Sequence, residues 1–331
     1  MESMEKIFVG NPRYFEQRGE ITSPEQLIYL IMDMPFGCQL KCLKCYRKLA
    51  IRPDALNLRT RKNTISEAAE LGAKVFALPG EGEPLLYWDQ TKALIAHAHS
   101  LGLITILYTN GIHMTENITH FLFDHGASPI FSCDSIDTGR YRKLTGVGSL
   151  GTARKGFEML ARVYRDGVAR SGDTMQTRLS LISIACKDNA SEIPALKQWA
   201  GESDAYFICN FPVKIGNAVK NWEVLVGNQE ARLREIAQKY SDTHFGGLTT
   251  PTCDGRCAAL YHGITVDADG SVLSCPASVG QSVGRIDEGN VSSLHNEVLH
   301  HAKINGSPSC ILRFNQNPEP RKHDGLIITS V

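Results

Sequence analysis

The sequence predicts an α/β fold with a parallel β-sheet, followed by a smaller region that carries cysteines. Six apolar, strand-like runs alternate with helical patterns through the first two thirds of the chain. Strand-then-helix repeats of this kind favour parallel strands joined by right-handed crossovers. The predicted strands are residues 27–34, 74–78, 103–108, 129–133, 179–186 and 206–211.

Helical patterns lie between and after these strands. They cover residues 63–71, 90–101, 116–124, 152–166, 191–200 and 228–239. Three of them begin next to residues that commonly cap helices, namely Asp89, Thr115 and Asn189. Three end at glycines, which favour helix termination: Gly72, Gly102 and Gly126.

Three closely spaced cysteines directly follow the first predicted strand. Cys38, Cys42 and Cys45 have the spacing C-x3-C-x2-C. Thiolates this close converge on one metal centre, and they are one ligand short of closing a four-iron cluster. One iron of such a cluster would stay open to bind another molecule. A zinc site is one alternative, although zinc knuckles usually show paired C-x2-C spacings or a nearby His, and three core thiols without a metal are the other.

Polar loops follow the next three predicted strands. They are the run Gly80, Glu81, Gly82, Glu83 and Pro84, the run Thr109, Asn110 and Gly111, and the run Ser132, Cys133 and Asp134. Reactive groups of parallel α/β folds gather at the carboxyl ends of the strands. We therefore expect these loops and the three cysteines to lie on one rim of the sheet.

The cysteine motif and the rim loops together resemble the radical S-adenosylmethionine (radical SAM) superfamily. The resemblance covers about residues 27 to 310. It implies a partial (β/α)6 barrel and a [4Fe-4S] cluster held by Cys38, Cys42 and Cys45. It also implies that the open iron binds the amino and carboxylate groups of S-adenosyl-L-methionine, and that an electron from the cluster releases a 5′-deoxyadenosyl radical that takes a hydrogen atom from the substrate.

The same resemblance implies a set of cofactor-binding residues. The set is Tyr46, Gly80, Glu81, Gly82, Glu83, Pro84, Thr109, Asn110 and Ser132. Relatives usually have an aromatic residue immediately before the third cysteine, where this chain has Lys44. Tyr46, on the other side of that cysteine, is the candidate to contact the adenine instead.

For five further residues near the predicted strand ends, two interpretations remain open. Asp134 and Asp137 either bind substrate or cap the segment that follows. Cys133, Cys186 and Cys209 each end a predicted strand, and each is either a small buried hydrophobic residue or a hydrogen-atom donor facing the barrel interior. Cys209 is the first candidate for a catalytic cysteine, because the last strand adjoins the C-terminal region.

A second group of cysteines lies in the C-terminal region, at Cys253, Cys257, Cys275 and Cys310. The stretch 257–275 resembles the auxiliary-cluster domains called SPASM, or their shortened twitch form. The resemblance implies one auxiliary [4Fe-4S] cluster with four cysteine ligands, which accepts or donates electrons; a structural zinc site is the alternative. A β-hairpin over 263–274 is predicted from the Asp269-Gly270 step between β-formers.

We expect an N-terminal extension (1–24), a barrel (25–245) and a twitch-like domain with its tail (246–331).

Composition limits the partners and the compartment. The formal net charge is zero, from 35 basic and 35 acidic residues, so no overall field favours nucleic acid or anionic membrane. The longest apolar runs are too short to span a bilayer, and the N-terminus lacks the apolar segment of a signal peptide. We expect a cytoplasmic protein with reduced thiols.

These observations predict a radical SAM enzyme of oxidoreductase or epimerase type. The N-terminal extension is too short for a separate peptide-recognition module, so we expect a small polar substrate, such as an amino sugar or a nucleoside in natural-product biosynthesis. The expected outcome is oxidation, epimerisation or rearrangement, with flavodoxin or ferredoxin as electron donor. A maturase of a ribosomally made peptide is the alternative within enzymes, and a zinc-stabilised binding protein is the alternative from another class.

Overall fold

The computed structural model describes residues 6–23, 25–34, 37–45, 55–79, 82–171, 175–242, 258–274 and 282–304. Its strands are β1 (Ile7–Phe8), β2 (Tyr29–Met32), β3 (Val75–Leu78), β4 (Ile104–Thr109), β5 (Ser128–Ser132), β6 (Gln176–Thr177), β7 (Ser180–Ile184), β8 (Tyr206–Asn210), β9 (Gly263–Val266), β10 (Ser271–Leu273) and β11 (Ser282–Arg285). The six predicted strands correspond to β2, β3, β4, β5, β7 and β8.

The helices are α1 (Pro12–Gln17), α2 (Leu58–Glu70), α3 (Trp88–Ser100), α4 (Glu116–Asp124), α5 (Thr138–Thr145), α6 (Leu150–Ser171), α7 (Ile193–Glu202), α8 (Asn217–Lys220), α9 (Trp222–Leu225), α10 (Glu230–Tyr240), α11 (Ala258–Tyr261) and α12 (Val291–Ile304). A 3₁₀ turn, Pro84–Tyr87, precedes α3. The sequence patterns identified α2, α3, α4, α6, α7 and α10, and they missed α5 beside the cysteine loop.

One sheet organises the described residues. Its nine strands have the order β11-β10-β9-β2-β3-β4-β5-β7-β8. The strands from β2 to β8 pair in parallel, in chain order, and β6 lies outside this sheet, paired with β1. The predicted parallel sheet is therefore confirmed, and the carboxyl ends of its strands share one edge.

The two faces of the sheet are packed differently. Side chains alternate between the faces along each strand, so that Phe131 and Phe207 contact the crossover helices whereas Ile130 and Ile208 point to the opposite, inner face. The inner face is filled near the amino ends by Phe8 and by residues of α1. Helices on one face and apolar filling on the other are the arrangement of the predicted partial barrel.

Helix starts agree only partly with the predicted caps. Thr115 caps α4, because its hydroxyl accepts a hydrogen bond from the Ile118 amide at 3.2 Å. Asp89 instead lies in the first turn of α3. Asn189 does not cap α7 either, since its side chain accepts from the Cys186 amide at 2.8 Å and donates to the Asp134 carbonyl at 2.8 Å. The Asn189 side chain is used in these hydrogen bonds and is therefore not available to cap α7.

The predicted C-terminal hairpin is confirmed as β9 and β10, which pair antiparallel. Strand β9 also pairs in parallel with β2, so the hairpin extends the main sheet. Buried Arg61 connects the hairpin to the rest of the sheet, donating to the carbonyls of Leu56 (3.0 Å), Asp33 (2.8 Å) and Ala268 (2.9 Å).

The expected domain boundary near residue 245 lies outside the described residues. Among those residues, no helix is long and apolar enough to cross a membrane.

Candidate active site

The loop with the three cysteines runs along the carboxyl end of α5. The Lys41 amide donates to the Thr145 carbonyl at 2.8 Å, and the Leu43 amide donates to the Leu144 carbonyl at 2.9 Å. Gly146 makes this approach possible, because its φ is +83° and a Cβ at this position would lie 3.0 Å from Lys41 Cβ. Helix α5 is therefore a support for the cysteine loop.

Two asparagines after β8 hold the other side of the loop. The Asn217 amide donates to the Cys45 carbonyl at 2.8 Å, and its side chain donates to the Cys42 carbonyl at 3.4 Å. The side chain of Asn221 donates to the Leu43 carbonyl at 3.4 Å. The sequence analysis missed both residues, and isolated asparagines in a polar stretch carry no motif that would have identified them.

Glu83 joins three of the rim loops. Its carboxylate accepts from the Thr109 hydroxyl at 2.7 Å, from the Asn110 amide at 2.8 Å and from the Leu85 amide at 3.2 Å. Its own amide donates to the Gly37 carbonyl at 3.1 Å. The carboxyl group is buried, and this burial raises the pKa of Glu83 to about 7.

Asn110 connects the rim to the first cysteine. Its side-chain oxygen accepts from Gln39 Nε2 at 3.0 Å, and its Nδ2 lies 3.8 Å from Cys38 Sγ. The predicted gathering of the cysteine loop, Glu83, Thr109 and Asn110 at one edge of the sheet is thus present in the structure.

The three motif thiols influence one another electrostatically. The pKa of Cys38 is raised to about 11 and that of Cys42 to about 12, mainly by burial, and the charge of Cys45 contributes to both increases. Among the described residues, no three His, Cys, Asp or Glu side chains stand close enough together to hold a metal ion. The donor set nevertheless fits a three-thiolate centre, because three neighbouring thiols on one loop become ligands once they lose their protons.

Lys44 bridges the cysteine loop to the end of β5. Its ammonium lies 2.5 Å from Asp134 Oδ1, which also accepts from the Ile184 amide at 2.8 Å. Lys44 is thus committed to an ion pair at the position where relatives carry an aromatic residue. Asp137 does cap the next segment, since its side chain accepts from the Arg140 amide at 2.7 Å at the start of α5.

The inner face is open next to this loop. Tyr108, Ser132 and Ile184 lie at or near the carboxyl ends of β4, β5 and β7, and by alternation they share the inner face with Ile130. All three are only partly buried, whereas the inner residues nearer the amino ends are buried. Ser132 is therefore half-buried on the inner face, at the carboxyl end of β5.

The other three cysteines in the described part of the chain are buried behind the rim. Cys133 donates to the Ser135 carbonyl at 3.3 Å, and Cys186 lies 3.3 Å from Asn189 Oδ1. Cys209 was expected to face the barrel interior, but it packs on the helix-facing side with Phe207, because residues two apart in a strand share a face. Burial raises the pKa of all three thiols to about 12.

Seven predicted site residues lie outside the described part of the chain. They are Tyr46, Gly80, Glu81, Cys253, Cys257, Cys275 and Cys310. Of the rest of the glycine loop, Gly82 has a φ of +92° and Pro84 begins the 3₁₀ turn before α3.

The fold is similar to those of several solved structures, whereas no family model matches the sequence. Streptococcus suis SuiB bound to precursor peptide SuiA matches with a TM-score of 0.60 at 15% identity, covering 84% of this chain and 67% of that chain. Native anSMEcpe with bound AdoMet matches with a TM-score of 0.57 at 18% identity, covering 89% and 86%. Both solved structures have the radical SAM fold. The fold predicted from the cysteine motif is therefore confirmed.

Proposed function

We propose that this protein is a radical SAM enzyme whose cluster is held by Cys38, Cys42 and Cys45. One observation carries the proposal: the three-thiol loop is fastened to the strand ends of a partial barrel, through Gln39 to Asn110 and through the Gly37 carbonyl to Glu83. A zinc-stabilised binding protein would need the three thiols. It would not need these hydrogen bonds between the cysteine loop and the strand ends beside the inner face.

The chain supplies only three thiolates from this loop, so one iron of a [4Fe-4S] cluster stays open for S-adenosyl-L-methionine. When bound, the cluster supplies the electron that cleaves this cofactor to a 5′-deoxyadenosyl radical. The thiols must lose their protons to bind metal, and the Lys44 ammonium helps by lowering the pKa of Cys42.

We assign a different role in cofactor binding to each group of rim residues. The carboxylate oxygens of Glu83 are already bonded to Thr109 and Asn110, so Glu83 positions the two loops. This leaves the backbone of the glycine loop, Gly80 to Pro84, to accept the cofactor's ammonium group, as the resemblance implies. Ser132, half-buried on the inner face, is placed to bond the ribose or the carboxylate. Tyr46 is the proposed adenine contact, because Lys44 is paired with Asp134.

We assign one auxiliary [4Fe-4S] cluster to Cys253, Cys257, Cys275 and Cys310. The hairpin that precedes Cys275 pairs with β2, the strand that leads into the cysteine loop. That pairing ties the region that carries these cysteines to the barrel, and a second centre there would pass electrons to or from the substrate.

Two substrate classes remain as proposals. A small polar molecule, such as an amino sugar or nucleoside that is oxidised, epimerised or rearranged, is the first candidate. A ribosomally made peptide is the second candidate. It is supported by the solved structures of similar fold, since SuiB was solved with a precursor peptide and anSMEcpe with the Cp18Cys peptide.

Anaerobic reconstitution tests the proposal. We expect a brown iron–sulfur protein that forms 5′-deoxyadenosine from S-adenosyl-L-methionine with reduced flavodoxin or ferredoxin. Cys42→Ala abolishes this product, whereas the matched control Cys186→Ala, a buried cysteine outside the motif, retains it. A colourless protein with zinc and without iron would overturn the proposal.

The substrate class is decided by the same assay. Deoxyadenosine that forms only with peptides favours the maturase, and formation with amino sugars or nucleosides favours the small-molecule enzyme. Deuterium placed at single substrate carbons then identifies the attacked position, because the label appears in deoxyadenosine.

A further inference from the structure

Four positively charged side chains around the cysteine loop have no role in the site described so far. They are Lys41 on the loop, Arg142 in α5, Lys214 just before α8 and Lys220 in α8. All four are exposed, and within the described part of the chain none of them forms an ion pair. We call these four residues the basic surface.

Helix α5 brings two of the cations together on one side of the loop. The Gly146 amide donates to the Arg142 carbonyl at 2.8 Å, so the two residues are one helical turn apart and share a face. A Cβ at Gly146 would lie 3.0 Å from Lys41 Cβ. Lys41 and Arg142 are therefore neighbours on the exposed side of this contact.

Helix α8 places the other two cations on the opposite side of the loop. It begins at Asn217, whose amide donates to the Cys45 carbonyl at 2.8 Å, and it ends at Lys220. The Lys214 ammonium lies 5.5 Å from the centre of the Trp222 ring, which follows α8. The cysteine loop is thus flanked by positive charge on both sides.

Two acidic side chains beside this surface already have basic partners of their own. Asp188 is paired with Lys143 at 2.6 Å, and Glu223 lies 3.9 Å from Lys187. These pairs balance their own charges and leave the four cations of the basic surface in place. The whole chain has a formal net charge of zero, so this positive charge is a local feature.

Exposed apolar side chains lie among the cations. Val147 follows α5, Val219 is in α8 and Val224 is in α9, and they are 57%, 40% and 44% exposed. Apolar side chains beside charged ones are the composition of a protein interface. Small interfaces are typical of the transient encounters in which proteins exchange electrons.

We propose that the basic surface is where an acidic one-electron carrier protein, of the flavodoxin or ferredoxin kind, docks on this enzyme. Charge complementarity attracts and orients such a carrier. The carrier gives one electron to the cluster, so the carrier is oxidised by one electron and the cluster is reduced by one. The inference rests on the proposed function, which puts the cluster on the loop between α5 and α8.

The position of the surface supports an electron carrier as its occupant. All three motif cysteines are only partly buried, so a protein that covers the loop lies close to the metal centre. The basic surface belongs to the loop and to helices outside the sheet. A carrier bound there leaves the inner face, with Ser132 and Ile184, to the cofactor and the substrate.

Binding of oxidised flavodoxin to the reconstituted protein tests the proposal without turnover. We expect the double variant Arg142→Glu, Lys220→Glu to bind about 10-fold more weakly at low salt, because repulsion replaces attraction. High salt should reduce the difference from the wild type, since it screens exposed charges. The matched control is Arg13→Glu, an exposed basic residue of α1 at the other end of the sheet, and it leaves the affinity unchanged.

The choice of reductant gives a second readout. Dithionite is a small molecule that needs no docking surface. With dithionite, the double variant should form 5′-deoxyadenosine at the wild-type rate. With reduced flavodoxin below saturation, its rate should fall about 10-fold, in step with the weaker binding.

The outcomes separate the inference from the function on which it rests. Wild-type protein that takes up no iron overturns both. A loaded wild type that binds neither flavodoxin nor ferredoxin overturns the inference alone, as does a double variant that binds flavodoxin like the wild type or is slowed equally with both reductants. Poly-glutamate that binds the wild type as tightly as flavodoxin also overturns it, because the surface would then attract any acidic chain.

Discussion

The Lys44 ammonium, carried between the second and third motif cysteines, lies 2.5 Å from the carboxylate of Asp134 at the end of β5. Both groups are shielded, with 17% and 5% of their side chains exposed. The pair joins the cysteine loop to the middle of the barrel across 90 positions of sequence.

We expect Lys44→Met to destabilise the metal-free protein by about 3–5 kcal/mol, because it leaves the buried Asp134 carboxylate without a counter-ion. Urea unfolding of Lys44→Met, Asp134→Asn and the double variant measures the coupling between them. Lys143→Met is the matched control, since its partner Asp188 lies in a more exposed pair, and it should cost about 1 kcal/mol or less. Equal losses for the two lysines would show that the Lys44 pair is no stronger than a surface pair.

Glu83 and His295 give opposite pH dependences of stability. The pKa of Glu83 is raised from 4.5 to about 7 by burial, so its contribution is complete below pH 4.5 and is lost as the pH rises to 7. The pKa of His295 is lowered from 6.5 to about 4, by burial and then by the charge of His262. Its contribution is complete above pH 6.5 and is lost as the pH falls to 4.

Because these effects cancel, we expect little change from these two groups between pH 4.5 and 6.5 in the metal-free protein. With Glu83→Gln, the free energy of unfolding should rise with pH across this window by about 2–3 kcal/mol. With His295→Leu it should fall by a similar amount. Denaturant unfolding at several pH values measures both slopes, and slopes equal to that of the wild type would refute the two assignments.

Cys209→Ala should leave turnover intact, because the side chain faces the helices and not the open inner face. We expect a loss of about 1 kcal/mol of stability from the lost packing. The measurement is deoxyadenosine and product formation beside thermal unfolding. A variant that consumes substrate but no longer forms the normal product would instead establish Cys209 as the hydrogen-atom donor, the role first expected from the sequence.

Arg61→Met should loosen the C-terminal hairpin from the barrel. Its guanidinium bonds carbonyls from β2's end, from the segment before α2 and from the turn after β9. The variant removes all three bonds; the Ala268 carbonyl keeps the Leu56 amide as a donor, whereas the Asp33 and Leu56 carbonyls lose the guanidinium. Hydrogen exchange should quicken at the β9 and β10 amides and stay unchanged in β7 and β8. Arg178→Met, which removes a bond to the Phe123 carbonyl on the helix-facing side, is the control.

The auxiliary cluster is tested by iron content. Cys275→Ala should lower the content from about eight to about four iron atoms per chain, because each [4Fe-4S] cluster holds four. Cleavage of S-adenosyl-L-methionine in the absence of substrate should persist, since the first cluster is unaffected. An unchanged iron content would remove Cys275 from the ligand set.

The sequence was sufficient to predict the six parallel strands, the rim on which the cysteine loop and the Glu83 loop meet, and the hairpin over β9 and β10. These features depend on short-range patterns, since apolar runs, turn residues and cysteine spacing all act within a few residues of one another. Thr115 was identified as a cap for the same reason, because its bond reaches only three residues ahead.

Only the tertiary structure decided where the polar side chains go. Lys44 reaches Asp134, Asn189 bonds Asp134 instead of capping α7, and Asn217 bonds the cysteine loop from a position 175 residues further along. The face on which Cys209 lies also depended on the strand's exact register in the sheet. Such partners are chosen by proximity in space, after the sheet has brought distant segments together, and a buried polar group bonds whichever neighbour best offsets its loss of water.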